Sequence, residues 1–206
     1  MVSPDAISLE GEFEKIIDGI LTQGYGFSDA ILSAAEIQAL NEAFDLRKNT
    51  GQFRPAAIGN QASKQILTEI RGDQICWLPE EGQFPIETAY FARIQSLIEY
   101  FNRTCYLGLL DSELHYAEYP VGAFYKRHLD RFKTDSKRKL SVICYLNDNW
   151  EPHDGGQLVL YPADNQMEIV QPIAGRIVCF ESDKLEHEVL AASRARRSVT
   201  GWLRTR

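Results

Sequence analysis

Apolar residues recur at helical spacing in the first third of the chain, at Phe13, Ile16, Ile17, Ile20 and Leu21 and again at Ile31, Ile37, Leu40 and Phe44. Gly24 and Gly26 are expected to break the first helix. Ser33 with Glu36 three residues later forms a capping-box pattern that should start the second. Both stripes are expected to pack on a sheet. Residues 48–68 are polar, contain two glycines and a proline, and keep neither period, which predicts a long loop; loops of that length in compact domains are usually functional or disordered. A third helix is expected over Pro85 to Phe101, where Ile86, Tyr90, Ile94 and Leu97 share a face.

From about Glu113 the pattern changes to short runs rich in β-branched and aromatic residues: ELHYAEY, FYKRHLD, KLSVICYLN, QLVLYP, MEIVQP, GRIVCFES, HEVLAA and SVTGWLR. Turn residues separate them at Tyr119-Pro120-Val121-Gly122, Asn147-Asp148-Asn149, Asp154-Gly155-Gly156 and Ala174-Gly175. About eight short strands after a helical layer predict an α+β, mainly β fold: a double-stranded β-helix, jelly-roll or cupin-like, with supporting N-terminal helices. At 206 residues the chain is read as one domain, with helical support in 1–112 and the jelly-roll core in 113–206.

Composition narrows the class. Hydrophobic residues at 44% and charged residues at 25% match an ordinary globular protein. No apolar run approaches the roughly 18 to 20 residues that span a bilayer, and the start MVSPDAISLEGEFEK carries acids where an export signal needs a basic and then an apolar segment. Cys76, Cys105, Cys144 and Cys179 lie far apart without metal-type spacing, which fits reduced thiols in a cytoplasm. A net charge of −7 argues against non-specific nucleic-acid binding. The stretch 126–139 (KRHLDRFKTDSKRK) nevertheless has seven basic residues against two aspartates, as a solvated loop face or as a guide for an acidic partner.

Residues two apart on a strand project to one face, so His128 and Asp130 of the His-Leu-Asp triplet can grip one ion together. His187, 57 residues after Asp130, opens the run HEVLAA and can supply the third ligand. Two histidines and a carboxylate on one face of an octahedron leave three positions open, the ligand set of non-haem iron(II) oxygenases. An isolated H-x-D is common, and its company gives it weight. Nine residues after His187 begins Arg196-Arg197-Ser198-Val199-Thr200-Gly201-Trp202, whose alternate members Arg196, Ser198, Thr200 and Trp202 share a face. A guanidinium beside a hydroxyl suits a carboxylate through parallel charge-assisted hydrogen bonds. Arg194 falls in a turn-like stretch and Arg197 points to the other face, so Arg196 is the expected anchor.

These residues resemble the prolyl 4-hydroxylase branch of the 2-oxoglutarate oxygenases, particularly the hypoxia-factor prolyl hydroxylases and their bacterial relatives, over roughly residues 45 to 204. Tyr145-Leu146-Asn147 followed by Trp150 resembles the strand whose tyrosine helps hold the distal carboxylate of 2-oxoglutarate. Tyr119-Pro120 with Gly122, Tyr125 and His128 resembles the approach to the first ligand, one residue shorter than in the hypoxia enzymes, with Tyr119 lining the co-substrate pocket. Ile70-Arg71-Gly72-Asp73-Gln74-Ile75-Cys76-Trp77 resembles the segment after the substrate-covering loop, where the aspartate pairs with an arginine seven residues before the pocket tyrosine; Arg138 stands at that place. His115 either lines the pocket or is a core histidine satisfied by a hydrogen bond. Trp202 either borders the substrate or fills the barrel, and His153 is expected in solvent.

The resemblance implies iron(II) held by His128, Asp130 and His187, with 2-oxoglutarate and O2 as co-substrates and ascorbate as an accessory reductant. Arg196, Thr200 and Tyr145, beside Ser198 and Tyr119, would hold 2-oxoglutarate, and the products would be succinate, CO2 and a hydroxylated substrate. Asp73, Trp77, Arg138, Trp202, Tyr125 and His115 are the candidate substrate contacts. The implied substrate is a prolyl residue of a protein, with elongation factor Tu as the partner suggested by the bacterial relatives and an oxygen-sensing role suggested by the hypoxia enzymes. The rival readings are a hydroxylase of a small molecule such as free proline and a non-enzymatic cupin-type binding protein. A nucleic-acid demethylase of the same superfamily fits less well, because its R-x-N-x-T-x-R pattern meets Ser198 and Trp202 here.

Overall fold

The computed structural model describes residues 4–57, 69–130, 137–162 and 167–206. Three helices precede most of the strands: α1 (Pro4–Gln23), α2 (Ala34–Asn49) and α3 (Pro85–Cys105). The capping box predicted for α2 is present, with the Ser33 hydroxyl accepting from the Glu36 amide and the Glu36 carboxylate accepting from the Ser33 amide at 2.8 Å. Helix α3 has Pro85 at its first turn, where a missing N–H costs nothing, and runs one turn beyond the expected Phe101.

All eight expected runs form strands: β4 (Asp111–Tyr119), β5 (Tyr125–His128), β6 (Arg138–Tyr145), β7 (Leu158–Tyr161), β8 (Glu168–Val170), β9 (Ile177–Glu181), β10 (Glu186–Val189) and β11 (Arg196–Arg204). Three further strands lie earlier, β1 (Tyr25–Ser28), β2 (Arg54–Pro55) and β3 (Gln74–Trp77). Two antiparallel sheets result. The major sheet has the order β1-β9-β6-β11-β4-β3-β2 and the minor sheet β5-β10-β7-β8. Together they make the double-stranded β-helix expected from the pattern.

Strand parity divides the core. Leu114, Tyr116, Leu140, Val142, Cys144, Val199 and Leu203 of the major sheet meet Phe13, Ile16, Leu40, Phe44, Tyr90, Ile94 and Leu97 of the helices. The alternate residues, among them Ala117, Tyr119, Ile143 and Tyr145, face Leu158, Leu160 and Val189 of the minor sheet. Helix α3 is tied to α2 by a buried ion pair, Arg47 to Glu87, at 2.6 and 2.7 Å. The same carboxylate accepts the backbone amides of Gln83 and Phe84 at the start of α3.

Four expectations need correction. Leu21 is 77% exposed and leaves the apolar stripe of α1. Gly24, at φ +86°, does end that helix, but Gly26 belongs to β1: a Cβ there would lie 2.0 Å from the Ile16 carbonyl oxygen, so glycine is what lets α1 press onto the strand. The predicted loop 48–68 begins inside α2 and contains β2, while its part at 58–68 lies outside the described residues. Finally, β5 stops at His128, so Asp130 is held by something other than strand alternation. Among the described residues no helix is long and apolar enough to cross a membrane.

Candidate active site

His128 closes β5 and sits directly opposite His187 of β10 in the antiparallel register, which brings the two imidazoles to 4.3 Å between ring centroids. Asp130, two residues past the strand, turns back towards them. Its Oδ1 lies 3.5 Å from His128 Nε2 and its Oδ2 3.6 Å from His187 Nε2. Ser141 of β6 fixes that carboxylate by donating to Oδ2 at 2.7 Å, and its oxygen lies 2.9 Å from the Ser182 hydroxyl. The triad therefore joins the sheets, with histidines from the minor one and a carboxylate braced by the major one.

Each histidine has its other nitrogen committed. His128 Nδ1 lies 2.7 Å from the Lys126 carbonyl and His187 Nδ1 3.1 Å from the Leu185 carbonyl. A carbonyl only accepts, so Nδ1 carries the proton in both rings and the Nε2 lone pairs face Asp130. Burial pushes the His187 imidazole down to about 4, with Asp130 only partly offsetting it, so the ring is neutral near pH 7. Burial opposes ionisation of Asp130, while the Ser141 hydroxyl favours it by donating to the carboxylate. One ligand atom from each of the three residues lies within 4.8 Å of the others. That donor set fits a divalent iron with one face left open.

Beside the triad the inward face of β11 carries the residues expected to form the co-substrate pocket. Arg196 pairs in register with Tyr119 of β4, and Ser198 lies between Ala117 of β4 and Tyr145 of β6. The Arg196 side chain is 2% exposed; its guanidinium lies 5.1 Å from the Tyr119 ring and 4.9 Å from the Tyr145 ring. Nε donates to the Gly156 carbonyl at 2.8 Å. No carboxylate pairs with Arg196 among the described residues. The buried Tyr145 hydroxyl likewise meets no hydrogen-bond partner there, and burial raises its pKa, which keeps it a donor. The Thr200 hydroxyl is 2.9 Å from that of Ser198. A buried cation beside an unpartnered phenol fits a carboxylate ligand. Arg197 projects to the helix side, over Phe44 and 3.0 Å from Asp45. Arg194 is spent on the carbonyls of Asp148 and Asn149. Strand parity thus separates Arg196 from Arg197, and Arg194 lies before β11 begins.

The third group lies at the mouth. Trp77, 44% exposed, is 4.8 Å from His115 and 6.4 Å from Trp202, and the last two are 5.6 Å apart. Arg138 lies 3.3 Å over the Trp202 ring, 3.3 Å from the Asp130 carbonyl and 3.4 Å from Glu113. The expected pairing of Asp73 with Arg138 is absent, because Asp73 is buried against Arg71, two residues away, in a two-point contact of 2.7 and 2.5 Å. His115 is not a satisfied core histidine: its buried Nδ1 and the Trp202 Nε1 both lack a partner among the described residues. Burial and the nearby Arg71 push His115 down to about 3, so it is neutral. His153 is in solvent as expected. Of the basic stretch, Arg127, Arg138 and Lys139 are paired with Glu186, Glu113 and Glu181, which cancels much of its local charge.

Residues 114–204 match the family model of the 2OG-Fe(II) oxygenase superfamily. A prolyl-4-hydroxylase of Pseudomonas putida is 41% identical, with 94% of this chain and 99% of that one aligned at a TM-score of 0.85. This chain belongs to that family. A prolyl hydroxylase of Trichoplax adhaerens, solved with a peptide fragment of the hypoxia inducible factor oxygen degradation domain, is 28% identical over 99% of this chain and 94% of its own, with a TM-score of 0.87. The prolyl 4-hydroxylase of Phytophthora capsici, at 24% identity and a TM-score of 0.75, shares the fold.

As a member of the prolyl 4-hydroxylase family the protein is an oxygenase that uses iron(II), 2-oxoglutarate and O2. Three contributors to its site went unread in the sequence. Ser141 interrupts the apolar run KLSVICYLN at a position facing inward, a signal that was available. Gly156 stands in a turn, and a Cβ there would lie 3.1 Å from Arg196 Cδ. Arg71 stands two residues before Asp73, a spacing that carries no mark of their pairing.

Proposed function

We propose that the protein hydroxylates a prolyl residue held within an extended stretch of another protein. The observation that carries this reading is the cluster of Trp77, His115 and Trp202, joined to the triad through Arg138, which lies over Trp202 and beside the Asp130 carbonyl, and built partly from a segment that also carries Asp73. A free amino acid needs no exposed tryptophan on such a segment, whereas a polypeptide has flanking residues to lay across it. The Trichoplax relative, solved with a peptide fragment, supports this choice.

In this reading His128, Asp130 and His187 hold iron(II), which with 2-oxoglutarate and O2 supplies the oxidising power for C–H hydroxylation, releasing succinate and CO2. Arg196 and the hydroxyls of Thr200 and Tyr145 anchor the far carboxylate of 2-oxoglutarate, with Tyr119 and Ser198 as walls. The two tyrosine rings keep water from the guanidinium and so strengthen its grip. Trp202, Tyr125, His115 and Arg138 border the target residue, and Asp73 and Trp77 hold the chain beyond it. Residues 113–206 carry the chemistry, and 1–112 contribute the supporting helices and the Asp73–Trp77 segment.

Elongation factor Tu is the first protein to test. Incubation with iron(II), ascorbate and 2-oxoglutarate should add one oxygen atom to one of its prolines, located by peptide mass spectrometry, with succinate formed in equal amount. Trp77→Ala should cut that turnover about tenfold or more, the loss of an aromatic anchor that a bound chain would cover. Hydroxylation of free proline that exceeds that of every protein tested and is indifferent to Trp77→Ala would overturn the reading.

A further inference from the structure

The iron ligand His128 is stacked on Tyr125, with ring centroids 3.5 Å apart and planes 16° from parallel. In a regular strand, residues three apart point to opposite faces. They meet here because β5 carries one extra residue against β10: His128 and Tyr125 pair with His187 and Val189, so three steps on one strand oppose two on the other. A bulge of this kind re-aims side chains. Tyr125 in turn carries the Arg71 guanidinium 4.4 Å from its ring centroid. Arg71 is clamped by both oxygens of buried Asp73.

The backbone follows the same route. Arg71 forms an isolated antiparallel bridge with Tyr125, flanked by hydrogen bonds from Lys126 N to Ile70 O at 2.9 Å and from Gly72 N to Phe124 O at 3.0 Å. Residues 70–72 thus pair with the minor sheet beside an iron ligand. Residues 74–77, immediately after, are strand β3 of the major sheet and present Trp77 at the mouth. One short segment spans both sheets beside the metal site. The His128 ring is fixed at Nδ1 by a single carbonyl, which leaves rotation about that contact to be limited by whatever covers its face.

We propose that Arg71 and Tyr125 form a clasp that positions His128 for the metal, and that Asp73 ties this clasp to the segment at the mouth, so that the segment's placement is felt at an iron ligand. The positioning half stands on the metal site alone. The coupling half rests on the reading of Asp73 and Trp77 as substrate contacts. Arg71 and Tyr125 act through His128 and are positioning residues in this respect, whatever Tyr125 also touches.

Cobalt(II) titration of the metal-free protein, followed by the d–d absorption of the bound ion, tests the clasp without substrate or turnover. Tyr125→Leu and Arg71→Gln should each weaken cobalt affinity about tenfold and change the band shape, the scale of effect seen when an outer partner of a metal ligand is lost. Tyr125→Phe, which keeps the ring, should stay within about twofold of the parent. Because the two residues act in series, the double variant should lose little more than the worse single one. Asp73→Asn should give an intermediate loss. If Arg71→Gln does not fold, Arg71→Lys keeps the charge while losing the two-point contact and should behave as Asp73→Asn does.

Affinities and spectra of Tyr125→Leu and Arg71→Gln within about twofold of the parent, or losses that simply add in the double variant, would overturn the clasp. An Asp73→Asn protein indistinguishable from the parent would overturn the coupling. Cobalt affinity that falls as expected in a protein that hydroxylates no prolyl peptide would leave the clasp standing and remove only the substrate reading.

Discussion

The two faces of the major sheet use the same strands for opposite ends. On the helix side, β11 offers Val199 and Leu203, and the charged groups there are matched, Arg197 to Asp45 and Arg47 to Glu87, while the Tyr90 and Tyr116 hydroxyls of that core have no hydrogen-bond partner among the described residues. On the inner side the same strand offers Arg196, Ser198, Thr200 and Trp202, and unmatched polar atoms accumulate around them, at Tyr145 Oη, His115 Nδ1 and Trp202 Nε1. A buried polar group without a partner costs free energy. The helix side contributes stability, and the inner side holds donors in readiness for ligands. Changes on one face should therefore move stability and changes on the other should move binding.

The largest effect expected is on the helix side. Glu87→Ala leaves the Arg47 cation buried without its partner and removes the acceptor for two amides of α3, and should cost about 3–5 kcal/mol. Denaturant unfolding measures it. Burial would raise the Glu87 carboxyl pKa, but Arg47 and the Gln83 and Phe84 amides outweigh it and lower it. A carboxyl whose folded-state pKa lies below the unfolded value contributes fully above the ordinary carboxylate range, and loses that contribution as pH falls through the lowered value. The parent should therefore lose stability on acidification more steeply than Glu87→Gln. Equal pH slopes would show that this pair is not the acid-sensitive element.

Arg196→Ala on the inner face should lose about 2–5 kcal/mol of 2-oxoglutarate binding, the cost of removing one partner of a buried charge contact. It should also weaken the visible charge-transfer band of the anaerobic iron(II) complex with 2-oxoglutarate. Arg197→Ala, one residue away, should leave both within about twofold, because its guanidinium lies on the helix side, 3.0 Å from Asp45 and 3.7 Å from Glu118. Equal loss from the two arginines would break the division between faces. Leu203→Ala tests the converse: about 2–5 kcal/mol of stability lost at a fully buried site, with 2-oxoglutarate affinity retained.

That division was legible in the sequence because period-two alternation leaves no freedom: once β11 is a strand, Arg196 and Arg197 must part. The two histidines of the triad were legible for a related reason, since they need only adjacent strands to meet, whereas Asp130 lies past the end of β5 and is held by Ser141. What escaped was pairing chosen by competition. Asp73 is matched to Arg138 by the resemblance but pairs with the nearer Arg71 in the structure, where the bridge to Tyr125 already holds the Arg71 backbone in place. Gly26 escaped because a glycine needed for close helix contact is written the same way as one that breaks a helix. Arg47 and Glu87 stand 40 residues apart with no local mark of partnership.

The smallest change asks most sharply what the inner face is for. Tyr145→Phe deletes one oxygen that has no hydrogen-bond partner among the described residues, so the folded state should lose no hydrogen bond there and shed a desolvation penalty. Stability should be unchanged or slightly higher. If that hydroxyl is kept for the distal carboxylate, the same change should cost about 1.5–3 kcal/mol of 2-oxoglutarate binding, the range for a hydrogen bond to a charged group. Opposite signs from a single atom separate a ligand contact from a packing role. A variant that is less stable, with affinity unaltered, would place Tyr145 with the helix side in function although it faces the other way, and parity would then be a guide to geometry but not to purpose.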